Sequence, residues 1–295
     1  MVPQAGPADS LYYYVRSKFL FLDDLDFDDA GIARKRYRAQ GPQYNPLFIA
    51  WWGLVNLDKF LLDDDKDGLQ EFLTQVNWLA ANAVEREGDQ VVWPCYFYWQ
   101  EGLARLSSPW ISAMYNGVVI SALVRAYRIT KEEKLLDLCE RGTRIFELPI
   151  GKGGVRTVEG DVALYEEYPI YPLPRVLDGF LFSLLGLYDL AMQTGSDRVR
   201  RLFDDGVTGA KHMLSSWDYR GKWSWYGTHG YLCPPHYHKL NGLLLLILAE
   251  LTKDRQLAEA GARWNPTRLS RSDKAEIYLM YAMTKNLARL RLPRN

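Results

Sequence analysis

The chain has 295 residues, 48% hydrophobic and 24% charged, which excludes a disordered chain and suffices for a sizeable core. Lys plus Arg (36) equals Asp plus Glu (36), so no global basic field draws it to nucleic acid, and an anionic substrate needs a local site. Ten Trp, 19 Tyr and 11 Phe supply flat apolar faces with polar edges, which suit a core and also the faces of sugar rings.

Residues 1–7 lack a basic start followed by an apolar run, so no signal peptide is read there. The most apolar stretch, residues 243–251, is too short to span a bilayer, and a soluble, cytoplasmic protein is expected. Residues 11–16 read as a short strand within an N-terminal extension, 1–40, that packs on the rest. The acidic run 23–29 fits no EF-hand spacing and reads as a solvated turn.

From residue 41 a repeat organises the chain. Asn116-Gly117, Asp178-Gly179 and Asn241-Gly242 each open an apolar helical run, at spacings of 62 and 63 residues. Each run closes at a threonine (Thr130, Thr194, Thr252), and a second helix follows. A looser copy begins at Asn45-Pro46. The first helix of a copy is apolar nearly all round, as in residues 179–188. The second is amphipathic, with Val199, Leu202, Phe203, Val207, Ala210 and Leu214 near the 3.6-residue period. Apolar helices need cover on both sides, so the pattern predicts an all-α fold over 41–295. Its form would be an (α/α) toroid or barrel of about four hairpins, with an inner and an outer ring. Asn116, Asp178 and Asn241 are expected as N-caps of the inner helices. The long connections 85–110, 149–177 and 216–240 crowd the end where those helices begin, and loops of such length are usually functional.

Residues 165–169, Tyr-Glu-Glu-Tyr-Pro, place two carboxylates between two phenols on one such loop. Like charges side by side raise at least one pKa, as a general base near neutral pH requires; a solvated acidic turn is the competing reading. Trp223, Trp225 and Tyr226, then Pro235-His236-Tyr237-His238, bring further aromatics to the same mouth. His229, His236 and His238 lie within ten residues but without a helical His-x-x-x-His spacing, so no metal is expected. Cys95, Cys139 and Cys233 form neither a disulfide framework nor a zinc spacing.

Several segments carry a resemblance. The run 110–127 (Trp-Ile-Ser-Ala-Met…Ile-Ser-Ala-Leu-Val-Arg-Ala-Tyr), Tyr165-Glu166-Glu167-Tyr168-Pro169, the stretch 176–190 and Tyr237-His238 leading into Asn241 are similar to the D-glucuronyl C5-epimerases of heparan sulfate synthesis. Residues 41–46 resemble the segment before that family's first helix. The likeness covers roughly 41–60 and 78–250. It implies an enzyme that converts D-glucuronic acid to L-iduronic acid within a polysaccharide such as heparosan. By position it assigns catalysis to Glu167, Tyr168, Tyr237 and Tyr226. Two departures stand out. Vertebrate members carry a β-rich domain where residues 60–77 here read as an acidic loop. An arginine that follows the tyrosine matching Tyr226 is absent, and His229 stands nearby. Vertebrate relatives are dimers, which leaves a homodimer open.

The C5 proton of a uronate is α to a carboxylate, and its removal leaves charge that donors or cations must neutralise. Glu167 is expected as one base and Tyr237 as the opposing acid, with Tyr168 and Tyr226 in support. Arg175, His236 and His238 are expected to hold the substrate carboxylate. Tyr44, Asn45, Trp110, Tyr115, Asn116, Tyr165, Asp178, His229 and Asn241 are further candidates for substrate binding. Because the proton exchanges with solvent, no cofactor is expected. Three alternatives share the motifs: a uronate polysaccharide lyase, a glycoside hydrolase using Glu167 and Asp178, and a non-catalytic glycan-binding module.

Overall fold

In the computed structural model residues 10–291 are described; residues 1–7, read above for a signal peptide, lie outside them. The chain is mostly helical, with small sheets. Four helix pairs follow one another: α1 (Pro46–Asp63) with α2 (Lys66–Ala81), α3 (Ala113–Thr130) with α4 (Glu133–Gly142), α5 (Leu177–Thr194) with α6 (Asp197–Trp217), and α7 (Pro235–Thr252) with α8 (Arg255–Arg263). Each first helix has 18 residues and is followed by a left-handed residue: Asp64, Lys131, Gly195 or Lys253. Thr130, Thr194 and Thr252 are the last helical residues, and each hydroxyl donates to the carbonyl four residues back. The repeat endings therefore lie where the sequence places them.

The helix starts do not. Asn116 is the fourth residue of α3, whose cap is Ser112, and its amide donates to Gly142 O at 3.2 Å. Asp178 is the second residue of α5, after Val176 at the cap. Asn241 lies seven residues into α7, which a proline at its first position opens. Only Asn45, at the looser copy, caps its helix, accepting from Leu47 N–H at 2.9 Å.

The first helices pack in the order α1–α3–α5–α7, each with its partner helix alongside. All of α5 from Leu177 to Ala191 is buried, whereas α6 buries one face, including Val199, Leu202, Phe203 and Ala210. Two glycines let α3 and α5 touch backbone to backbone: a Cβ on Gly186 would stand 2.0 Å from Gly117 O.

The residues 60–77 are no acidic loop, because α1 runs to Asp63 and only Asp64 and Asp65 separate it from α2, which Asp65 caps. The long connections are not irregular either. Each carries antiparallel hairpins: β4 (Val84–Arg86) with β5 (Gln90–Val92), β6 (Trp99–Glu101) with β7 (Ala104–Leu106), β8 (Arg156–Glu159) with β9 (Val162–Tyr165), and β10 (Asp218–Tyr219) with β11 (Trp223–Ser224).

The N-terminal part holds a three-stranded sheet of β1 (Leu25–Phe27), β2 (Ala33–Tyr37) and β3 (Gly41–Gln43). Asp28 makes the turn between its first strands, accepting from Ala30 and Ile32 N–H groups. The expected strand at 11–16 is absent. That segment is irregular, with bends at Tyr12, Tyr14 and Val15, and side chains rather than a neighbouring strand bond its backbone: Arg125 donates to Leu11 O and Tyr12 O, and Tyr13 N–H donates to Asp58. Tyr14 Oη donates to Asp189 at 2.5 Å, and Asp189 pairs with Arg125 at 2.6 Å, all buried. These partners lie in the C-terminal halves of α1, α3 and α5. Phe21, at the other end of the run, packs on Tyr237 at the start of α7, ring centroids 4.5 Å apart. A last helix, α9 (Arg271–Arg291), was not foreseen; Ile277, Thr284 and Ala288 face inward. Among the described residues no helix is long and apolar enough to cross a membrane.

Candidate active site

The turn after β9 delivers two adjacent glutamates to different surroundings. Glu166 is buried against Arg175: the guanidinium donates to Glu166 and to Thr157, and Glu159 pairs with it at 3.4 Å. The Arg175 N–H also donates to Glu166 at 3.2 Å, across a residue held at φ 50°. Burial raises the Glu166 pKa, and the arginine beside it partly opposes this. Arg175 is thus committed to its glutamates.

Glu167 turns onto the first turn of α5. A Cβ on Gly179 would lie 2.2 Å from Glu167 Oε2, so glycine at this position makes the socket for the carboxyl. Burial pushes its pKa well above the ordinary carboxylate range, and the charges of Asp178 and Glu101 add to this. Asp178 is also buried, with Oδ1 lacking a hydrogen-bond partner. Burial raises its pKa to about 7 despite the backbone amides of Asp178 and Gly179, which favour the anion at the helix start.

A third carboxylate was missed in the sequence. Glu101, on β6, accepts from Trp99 Nε1 at 2.9 Å and from His229 Nε2 at 2.7 Å. Its signal was faint: a lone acid in an aromatic hairpin. His229 Nδ1 is buried without a partner.

Phenols surround the three acids. Tyr168 lies between Trp99 and Trp110, centroids 6.2 and 5.8 Å away. Tyr226 stacks on Tyr231 at 5.3 Å and meets His229 at 5.2 Å and Tyr237 at 6.0 Å. The hydroxyls of Tyr168, Tyr226 and Tyr237 are all raised above the ordinary phenol value, first by burial and then by these carboxylates. They are proton donors at neutral pH. Tyr115, against Trp110, feels the Glu167 charge in the same way. A cleft of about 410 Å³ opens beside the cluster, lined among others by Glu101, His229, Thr228, Leu103, Leu173 and Leu287 of α9.

Other candidates make contacts away from the three acids. Tyr44 donates to Asp28 and stacks on Trp78. Asn45 caps α1 and donates to Tyr37 Oη. Tyr165 donates to Leu202 O of α6. His238 is buried on Trp223 and takes the Ser224 N–H on Nδ1; burial lowers its pKa to about 3, so it stays neutral. Asn241 donates to Ser224 Oγ and Cys233 Sγ. His236 is exposed beside Phe21 and Tyr237. The three clustered histidines thus enter three environments.

Residues 86–266, more than half of the chain, match the family described as D-glucuronyl C5-epimerase C-terminus. The chain belongs to this family. A D-glucuronyl C5-epimerase of Caenorhabditis elegans is 32% identical over 212 residues, covering 65% of this chain and 34% of the relative. The chain thus spans about a third of the length of the curated relative it matches. The span that carries the epimerase-family match holds Glu101, Glu167, Tyr168, Asp178, Tyr226 and Tyr237; α1, α2 and α9 lie largely or wholly outside it.

Proposed function

We propose that this chain is a uronate C5-epimerase, inverting D-glucuronic acid to L-iduronic acid within an anionic polysaccharide of the heparosan type. The observation that carries this reading is the meeting of a buried carboxyl, Glu167, with donor phenols from two other segments, Tyr226 and Tyr237.

Glu167 takes the C5 proton, and the electron pair stays on C5, spread into the sugar carboxylate as an ene-diolate. Donors placed around that charge lower the barrier, and Tyr168 and Tyr226 fill this role. The Tyr237 hydroxyl returns a proton to the opposite ring face; solvent then takes the proton from Glu167 and restores the phenol. Net proton balance is zero, so no redox cofactor takes part. A carboxyl raised by burial above its ordinary range and a phenol that burial keeps protonated suit the two halves of this step.

The helix pairs support an (α/α) toroid, with α1, α3, α5 and α7 inside and their partners outside. The catalytic domain on this reading is 41–295, with 1–40 as its extension.

The test is incubation with a glucuronate polymer in D₂O. Wild type is expected to place deuterium at C5, and Glu167→Gln and Tyr237→Phe each to slow labelling by about 10²–10⁴-fold. Labelling by Glu167→Gln at the wild-type rate would remove the base. A rise in ultraviolet absorbance from an unsaturated product would indicate a lyase instead.

A further inference from the structure

Asp178 has no part in the proton transfers above, yet it lies beside the base. Gly179, its neighbour, carries the Glu167 carboxyl against its own Cα, with no room for even a methyl group. Asp178 sits at the second position of an 18-residue helix, is 5% exposed, and leaves Oδ1 without any donor. Among the described residues no arginine or lysine bonds either acid; Arg175, the nearest in sequence, is held by Glu166, Thr157 and Glu159. Two carboxyls placed together out of water cannot both ionise cheaply.

We propose that Asp178 is a positioning residue of the reaction: the Glu167 and Asp178 carboxyls hold one proton between them in the working enzyme, so Asp178 sets the pH range in which Glu167 can accept the C5 proton. The inference rests on the epimerase reading.

The groups facing this pair are few enough to name. Glu101 approaches from β6 with His229 on it, Tyr168 and Glu166 from the turn after β9, and Tyr115 from α3. Tyr226, Tyr231, Cys233 and Tyr237 come from the segment leading into α7, with Lys285 of α9 over the Tyr231 ring. The phenols and the thiol are all raised by burial, so they are neutral near pH 7 and contribute no charge there. Glu101 repels the pair and is itself hydrogen-bonded by Trp99 Nε1 and His229 Nε2. Asp178 remains the neighbour whose removal changes the Glu167 proton affinity most.

The sign follows. Removing the Asp178 charge removes a repulsion from ionised Glu167, and its pKa falls. Asp178→Asn keeps the shape and is expected to move the acidic limb of kcat/KM for C5 exchange to lower pH by about one unit or more. Gly179→Ala, which displaces the Glu167 carboxyl, is expected to lower exchange at every pH. An acidic limb unmoved in folded Asp178→Asn would overturn the proposal. Should that variant not fold, infrared difference spectra of the wild type across neutral pH decide. One buried carboxyl still protonated at neutral pH and lost on raising it supports the pair, and two carboxylates already ionised overturn it. Absence of any exchange by wild type would instead defeat the epimerase reading, and the infrared measurement would remain informative.

Discussion

Glu166 and Glu167 are neighbours in sequence with opposite employments, and mutation should separate them. Glu166→Gln leaves Arg175 buried and short of a counter-ion, which is expected to cost about 3–5 kcal/mol in denaturant melts. Glu167→Gln removes a carboxyl that has no cation among the described residues, so it is expected to leave stability unchanged or raised while slowing exchange by the factor given above. His238 offers a pH test. Its folded pKa of about 3 lies below the unfolded value of 6.5, so its contribution is complete above 6.5 and is lost as pH falls toward 3. Asp178, raised from 3.8 to about 7, slopes the other way: its contribution is complete below 3.8 and is lost as pH rises toward 7. The wild-type slope mixes both, but the difference between wild type and His238→Gln should isolate the histidine. That difference is expected to shrink as pH falls below 6.5. The sequence marked Glu167 and the tyrosines because they cluster in motifs. Glu101 escaped because His229 reaches it only from a distant loop, while Trp99, two residues before it on the same strand, gives no motif.

At the scale of elements, the repeat was legible at its ends and illegible at its beginnings. Thr130, Thr194 and Thr252 stop their helices because each hydroxyl turns back on the helix while the next residue adopts positive φ. Helix starts were misread because an Asn-Gly pair resembles a cap, whereas Ser112 and Pro235 begin α3 and α7. Asn116 and Asn241 instead tie their helices to Gly142 and to the β10–β11 hairpin. The hairpins in the long connections went unseen because their strands are two to four residues, too short to show alternation. The left-handed stop positions give a prediction: Lys131→Gly and Lys253→Gly are expected to stabilise by up to about 1 kcal/mol in thermal melts. The Gly117–Gly186 crossing gives another. Gly186→Ala forces α3 off α5 and is expected to cost at least about 1–3 kcal/mol, with loss of exchange because α5 also carries Gly179 and Asp178.

For the whole molecule, the site is assembled from segments far apart in the chain: β6, the turn after β9, the start of α5, the loop before α7, and α9 at the cleft edge. The N-terminal run adds a sixth participant. It is fastened by Tyr14, Arg125 and Asp189 at one end of the first helices and reaches Tyr237 with Phe21 at the other. This route has a practical consequence for anyone trimming the gene. A fragment cut to residues 86–266 would keep every proposed reacting group yet uncover Tyr219, Trp223 and Leu232, which pack with Ile277 of α9, strip Phe21 from Tyr237 and remove α9 from the cleft wall. Such a fragment is expected to precipitate or to bind hydrophobic dye, while a 10–291 fragment stays monodisperse on a sizing column. The transplantable unit is the wrapped body, not the stretch by which its kinship is detected.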